Sequence, residues 1–483
     1  MTLHDLPPLS GALGRLALGD PPDTPSVPPP SGDLPRRPVV IEPASEDIDW
    51  HLVVTLRREA AEQIARAAED WLTDHGRPLA GPDRRVLGRS IVRSVVHARA
   101  RTLSENGEAL WPLHLENRYA DAVENAIFGY GRLQPLFELA TAENIEIHGH
   151  DNVWVQHGDG RRTAHPPVAD SDEELVDAIR FLGETATPPR PFDDLHPTMT
   201  LALGDRFRLH AIGFGLSFRP SIVIRQHLLT DVTLADLADG GMLPPHVARL
   251  LQSAVLARKS IVISGDQGAG KTTLLRALIA AIHPGERFGT LETDYELLTH
   301  LLAHRRNVLA LQARVGMGET AGGVPVGSYT VADLIPEALR QNLTRLIVGE
   351  VRGEEAGAMF EAMQAGAGTL STTHSHSASS TIDRLAARVA RGGVLSLDDA
   401  LRQIAHHIDF VVHVSLQDDA WRGGARRRFV SEVRQLTGTV EAGHPSTHLV
   451  YRAASDTRLE LFQPDAAMAA ELAPFERGVG SWV

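Results

Sequence analysis

The stretch Gly265-Asp-Gln-Gly-Ala-Gly-Lys-Thr272 constrains this chain more than any other. It fits G-x-x-x-x-G-K-[ST] in full, and both flanks suit the geometry that pattern needs. Ser260-Ile-Val-Ile-Ser264 before it is a short apolar β pattern. Leu274-Leu-Arg-Ala-Leu-Ile-Ala-Ala-Ile282 after it is helical and stops at Pro284-Gly285. A strand, a glycine-rich turn and a helix in that order curl the backbone until its N–H groups converge, and the helix N-terminus adds partial positive charge there. Gly265, Gly268 and Gly270 permit the curl, and the run Gly265, Asp266, Gln267, Gly268, Ala269, Gly270, Lys271, Thr272 and Thr273 is the candidate phosphate site. Lys271 can reach the β- and γ-phosphates of a nucleotide, and the Thr272 hydroxyl is a candidate Mg2+ ligand.

A phosphate loop hydrolyses nothing alone; it needs carboxylates from neighbouring strand ends. Leu346-Ile-Val-Gly-Glu350 is an apolar strand ending in such a group. Glu350 can polarise an attacking water or hold Mg2+ through water; an exposed strand-end glutamate is its other reading. Phe288-Gly-Thr-Leu291 leads into Glu292-Thr-Asp-Tyr-Glu296, where Glu292 is a candidate base or water-positioning group and Asp294 and Glu296 read equally well as solvated acids. Gly368-Thr-Leu-Ser-Thr-Thr373 ends at His374, a candidate sensor of the γ-phosphate in a chain with 23 histidines. His374 and His376 could pair on a metal, but no further ligands cluster with them, which disfavours zinc.

The 483 residues suggest two to four domains. Residues 1–40 hold ten of the thirty prolines and read as a disordered arm. Residues 41–130 carry apolar positions at helical spacing. Over 131–228 the period shifts to two, with strands predicted at Ile145-Glu-Ile147, Val153-Trp-Val-Gln156, Thr200-Leu-Ala-Leu203 and Phe207-Arg-Leu-His-Ala211, a hairpin turn at Gly204-Asp205 and a capping box at Ser171/Glu174. Residues 229–243 read as a linker, and 244–483 as an α/β domain on a mainly parallel sheet with a short C-terminal β meander. The absence of cysteine excludes disulfides and thiolate chemistry. A net charge of −14 speaks against a nucleic-acid binder. No apolar run is long enough to span a bilayer, and the N-terminus lacks a signal-peptide pattern, so a cytoplasmic protein is expected.

The order of motifs resembles that of the type II/type IV secretion ATPase family, and within it the CpaF/TadA-like branch of Tad (Flp) pilus systems. The likeness runs from about Tyr130 to Leu416. It rests on Gly265–Thr272 as Walker A, Leu291-Glu-Thr-Asp-Tyr-Glu-Leu297 as the Asp box, Leu346-Ile-Val-Gly-Glu-Val-Arg-Gly353 as Walker B and Leu370-Ser-Thr-Thr-His374 as the His box. The resemblance implies a RecA-like P-loop ATPase domain preceded by a smaller α+β domain and an N-terminal helical segment. It implies ATP and Mg2+ as cofactors, a homo-hexamer, catalytic roles for Glu350, Glu292, His374 and Lys271, and Mg2+ at Thr272 and Glu350. It makes Arg206, Arg225 and Arg314 candidate phosphate contacts, some across a subunit boundary. It implies a peripheral position at the inner face of the membrane, on a platform protein, with no direct nucleic acid. The chain departs from the family at Thr293, where aspartate is usual, at Gly366, where a first histidine is frequent, and at Leu343-Thr344, where Pro-Asp is frequent. Another RecA-like motor acting on nucleic acid, and a nucleotide-binding scaffold without turnover, remain the rival readings.

Overall fold

The Asp49 carboxylate accepts the N–H groups of His51 and Leu52 and so caps α1 (Trp50–His75). The computed structural model describes residues 48–476 apart from 107–110, 187–188, 315, 317–319, 322–323, 352, 354, 365–367, 394, 454–459 and 462. The proline-rich arm and Gly366 therefore lie outside the described residues. With α2 (Gly81–Glu105) and α3 (Leu113–Phe128), α1 forms a helical segment sealed by Val53, Leu56, Val92, Val96, Tyr119 and Val123. Each helix buries one stripe and leaves the other face to water, as the three-to-four spacing requires.

The next unit starts with the one-turn helix α4 (Gln134–Phe137), then β1 (Ala142–His148), β2 (Val153–His157), β3 (Arg162–His165), α5 (Asp172–Thr185), β4 (Thr198–Leu203), β5 (Phe207–Ile212) and β6 (Ser221–Gln226). The strands form one antiparallel sheet in the order β3-β2-β1-β6-β5-β4. Alternate residues such as Ile145, Ile147, Leu209, Ile222 and Ile224 pack inward with Leu175 and Ile179 of α5. The expected capping box at Ser171 is half formed. Ser171 Oγ accepts the Glu174 N–H, but the Glu174 carboxylate accepts the Asp170 N–H at 2.7 Å and pairs with Arg132, which draws it away from the reciprocal bond. The stretch read as a linker holds α6 (Leu234–Asp239), started by a Thr233/Asp236 capping box and anchored by buried Leu234 and Leu237.

The third unit runs α7 (Pro245–Leu256), β7 (Ile261–Gly265), α8 (Lys271–Ala280), β8 (Phe288–Glu292), β9 (Val308–Gln312), the two-residue strands β10 (Thr320–Ala321) and β11 (Val324–Pro325), and α9 (Val331–Leu339). It continues through β12 (Arg345–Val348), α10 (Glu355–Gln364), β13 (Leu370–His374), α11 (Ala378–Arg391), α12 (Leu397–His407), β14 (Phe410–Asp418), β15 (Arg426–Glu441), β16 (His444–Arg452), β17 (Glu460–Leu461) and α13 (Ala466–Glu476). Its sheet order is β17-β16-β15-β14-β7-β13-β12-β8-β9. From β14 to β9 the pairs are parallel; β15, β16 and β17 join antiparallel, so the expected meander continues the same sheet.

Every residue of β7, β8 and β12 is buried, the apolar stretches Ile261–Ile263 and Leu346–Val348 together with the polar Ser264, Thr290, Glu292 and Arg345. Alternation divides the core between the two faces. Ile261, Ile263, Phe288 and Phe410 pack with Leu274, Leu275 and Leu278 of α8. Val262, Leu291, Val348 and Val411 pack with α9, α10, α11 and α12 on the other face. The fold is thus a RecA-like α/β domain preceded by a smaller α+β sheet domain and a helical segment. Register aligns the strand tips, since Gly265 lies opposite both His374 and Val414, and Val348 lies opposite Leu291 and Ser371.

Candidate active site

The glycine-rich turn leaves β7 at Gly265, whose φ of 153° and close approach to Val414 exclude a side chain; a Cβ there would stand 2.2 Å from the Val414 carbonyl oxygen. Gly270, at φ 96°, is the left-handed residue that turns the chain into α8. The next residue is Lys271, 8% exposed, whose ammonium donates to the carbonyls of Gly265 (3.0 Å) and Asp266 (2.9 Å) and to His374 Nδ1 (3.2 Å). His374 Nε2 in turn lies 3.0 Å from Glu350 Oε1. Nδ1 thus serves as the acceptor for Lys271, while the approach of Nε2 to Glu350 is close without being a hydrogen bond. Glu350 is held there by β13, because Thr372 Oγ1 donates to the Gly349 carbonyl at 2.7 Å and the Val351 N–H donates to the Thr372 carbonyl at 2.8 Å. His376 turns to Asp266 (3.0 Å) rather than to a site shared with His374.

Glu292, at the tip of β8, is 3% exposed. Its Oε1 accepts the N–H groups of Glu296 (2.9 Å) and Leu297 (2.7 Å) and holds the acidic turn in shape; Oε2 is buried without a hydrogen-bond partner. Burial pushes the carboxyl up to about 7 against the relief those two amides give. The proton is therefore held in the fold to near neutrality, against 4.5 as the unperturbed value. The stabilising increment is complete below pH 4.5 and is lost as pH rises through 7, amounting to about 3 kcal/mol at 1.36 kcal/mol per pH unit. Urea unfolding at pH 5 and pH 8, without Mg2+, should show the wild type losing stability relative to Glu292→Gln on going to pH 8. A difference that does not change with pH would contradict this account.

Two hollows meet at Thr272. A recess of about 40 Å³ is lined by Thr272, Glu292, Thr293, Asp294 and Glu350, room for one cation or a water. A larger cavity of about 550 Å³ lies beside Gly268, Gly270, Thr272 and Thr273, with Leu228, Leu229, Val232, Leu237 and Met242 as its apolar wall and Arg225 among its cations. His227 also lines it; burial lowers its imidazole to about 3, so the ring is neutral, and its Nε2 is buried without a partner.

Of the candidate arginines, only Arg225 lines the cavity. Arg206 is exposed, stacked over Phe207 at 5.2 Å, and Arg314 is exposed, donating to the Gly327 carbonyl at 2.6 Å beside the Tyr329 ring. Neither joins the site within one copy of the chain. Four arginines absent from the sequence reading do meet it. Arg208 of β5 pairs with Asp294 and Glu296, both at 2.8 Å, so these acids are clamped rather than solvated. Arg276 of α8 donates to the carbonyls of Leu229 and Glu296, tying the linker to the acidic turn; burial pushes its guanidinium down to about 10. Its signal was visible, a cation interrupting the apolar stretch from Leu274 to Ala280. Arg426 and Arg428 of β15 reach over the glycine-rich turn.

The Type II/IV secretion system protein family model matches residues 197–420. A putative conjugal transfer protein of Mycobacterium tuberculosis is 32% identical over 347 residues, which span 66% of this chain and 89% of the relative. The chain belongs to the type II/IV secretion ATPase family. The chain is also 29% identical over 189 residues to protein VirB11 of Agrobacterium fabrum, covering 37% of this chain and 52% of VirB11. The X-ray structure of the Legionella pneumophila ATPase DotB is matched over 62% of this chain and 78% of that one, at 21% identity and a TM-score of 0.43.

Proposed function

We propose that this secretion ATPase hydrolyses ATP and drives a secretion or Tad/type IV-like pilus assembly machine at the inner face of the membrane. One observation carries the reading: Lys271, His374 and Glu350, 103 positions or fewer apart in the chain, stand in contact series, a hydrogen bond from Lys271 to His374 and a 3.0 Å approach of His374 to Glu350, beside the hollow that Thr272 shares with the carboxylates. The large cavity suits a nucleotide, with an apolar wall for the base and cations and backbone amides for the phosphates.

Thr272, Glu292 and Glu350 line the small recess and offer the hard oxygen donors that Mg2+ prefers, and Glu292 Oε2 has no hydrogen bond among the described residues to hold it from that role. Mg2+ held by these residues would neutralise charge on the nucleotide's phosphates. With ATP in place, Lys271 exchanges its carbonyl contacts for phosphate oxygens. Glu350 orients a water in line with the γ-phosphate, and Glu292 keeps the acidic turn and its hydration in place. His374, hydrogen-bonded to Lys271 and 3.0 Å from Glu350, responds when Lys271 moves and so couples γ-phosphate occupancy to the position of Glu350.

The assembly is proposed as a homo-hexamer, which gives Arg206 and Arg314 a neighbouring subunit's phosphates to meet. A membrane platform protein is the proposed recipient of the motion. Among the described residues no helix is long and apolar enough to cross a membrane. Phosphate release from Mg2+-ATP, with light scattering on the same sample, tests the reading. Turnover by a six-chain species is expected. ATP binding without any release would leave the scaffold reading standing and sink the motor; strong stimulation by DNA would favour the nucleic-acid motor.

A further inference from the structure

Glu143 is the second residue of β1, in the N-terminal sheet, yet its carboxylate is spent on the far end of the chain. It accepts from Arg428 at 2.6 and 2.8 Å and from Arg426 at 2.9 Å. Both arginines belong to the start of β15, and Arg428 also donates through Nε to the Gly268 carbonyl, in the middle of the glycine-rich turn, at 2.8 Å. A Cβ placed on Gly270 would stand 3.4 Å from Arg428 Cδ, and one on Gly268 would stand 3.6 Å from an Arg426 terminal nitrogen. The guanidinium groups therefore lie directly over the loop whose amides face phosphate, and Glu143, Arg426 and Arg428 line the 550 Å³ cavity together. Arg427, between them, is exposed on the opposite face of the strand.

The charges in this cavity are unequal. Arg225, Arg276, Arg426 and Arg428 line it, against Glu143 and Asp236 among the described residues. Asp236 is engaged in the Thr233 capping box, where it accepts both the N–H and the hydroxyl. Asp418 offsets Arg426 in part, at 3.2 Å. Glu143 is thus the carboxylate that answers Arg428. A carboxylate and a phosphate present the same planar pair of acceptor oxygens to a guanidinium fork, and one fork cannot serve both fully.

We propose that Arg426 and Arg428 are nucleotide-phosphate ligands supplied by the C-terminal hairpin, and that Glu143 is an internal competitor for them. Di- or triphosphate in the cavity takes over the guanidinium donors that otherwise tie β1 to β15. Nucleotide occupancy then weakens a bond between the N-terminal sheet and the ATPase domain, at a point separate from Lys271 and Glu350. The inference rests on the nucleotide reading of the cavity.

Calorimetric titration of the full chain with ADP and Mg2+ tests it. Glu143→Gln removes the competing charge and keeps the shape, so it should bind ADP about fivefold to tenfold more tightly than wild type. Arg428→Gln should bind about tenfold or more weakly, and Arg428→Lys, which keeps the charge and loses the fork, should fall between it and wild type. Arg427→Gln should match wild type. If wild type binds ADP and Glu143→Gln binds equally or more weakly, the competition is refuted. If Arg428→Gln, folded by circular dichroism, matches Arg427→Gln, the arginine is no phosphate ligand. Wild type failing to bind ADP would instead overturn the nucleotide reading, and this inference with it.

Discussion

Lys271→Ala should lower phosphate release by about a hundredfold or more, because it removes the one cation that follows directly from the glycine-rich turn. Removing a single preorganised donor from a developing negative charge costs about 10²–10³ in rate, and a full positive charge in a partly desolvated cleft sits at the upper end. Lys271 is 8% exposed, so its field at the phosphates is weakly screened. The substitution also removes the contacts to the Gly265 and Asp266 carbonyls, so unfolding of the variant should be measured alongside its rate. A folded Lys271→Ala protein that releases phosphate within tenfold of wild type would take Lys271 out of the mechanism.

Glu350→Gln separates binding from chemistry. Glutamine keeps an acceptor oxygen where the Glu350 carboxylate meets His374 Nε2, so the Lys271–His374–Glu350 series can persist. What disappears is the negative charge that orients and polarises water. Proton-handling and water-positioning groups contribute about 10²–10⁴ in rate. ATP affinity should stay within a few-fold of wild type while turnover falls by at least about a hundredfold. Equal losses of affinity and turnover would show that Glu350 serves binding, and unchanged turnover would show that it serves neither.

The two substitutions bear on opposite ends of one series of contacting side chains, so their effects should be strongly non-additive. Glu292 differs from both. Its Oε1 is committed to the Glu296 and Leu297 amides, and its raised pKa follows from burial at the tip of β8. Its contribution is to the shape and protonation of the acidic turn, which the pH series on Glu292→Gln reads out.

Three strand tips and the glycine-rich turn were legible because each is local: an apolar run, a stop, and a polar group at a fixed offset. Parallel strands buried on both faces write that pattern directly into the chain at Ile261–Gly265 and Arg345–Val348, and less plainly at Phe288–Glu292 and Leu370–His374, where Thr290, Ser371, Thr372 and Thr373 are buried polar residues. The family order of the four motifs was legible for the same reason. The helix inside the linker was missed because α6 has six residues, too few to show a period.

What the sequence determined by itself, then, was the glycine-rich turn, the doubly covered sheet around it and the placing of Lys271, Thr272, Glu292, Glu350 and His374 at that turn and the neighbouring strand tips. Tertiary structure alone decided their company: Arg208 on Asp294 and Glu296, Arg276 between linker and acidic turn, and Glu143 against Arg428 across 285 positions of chain. Periodicity shows that such a residue faces away from an apolar core, but its partner is set by the register of two sheets and the packing of one domain on another. Those pairings depend on distances in space between segments far apart in sequence, and no local pattern of side chains encodes them.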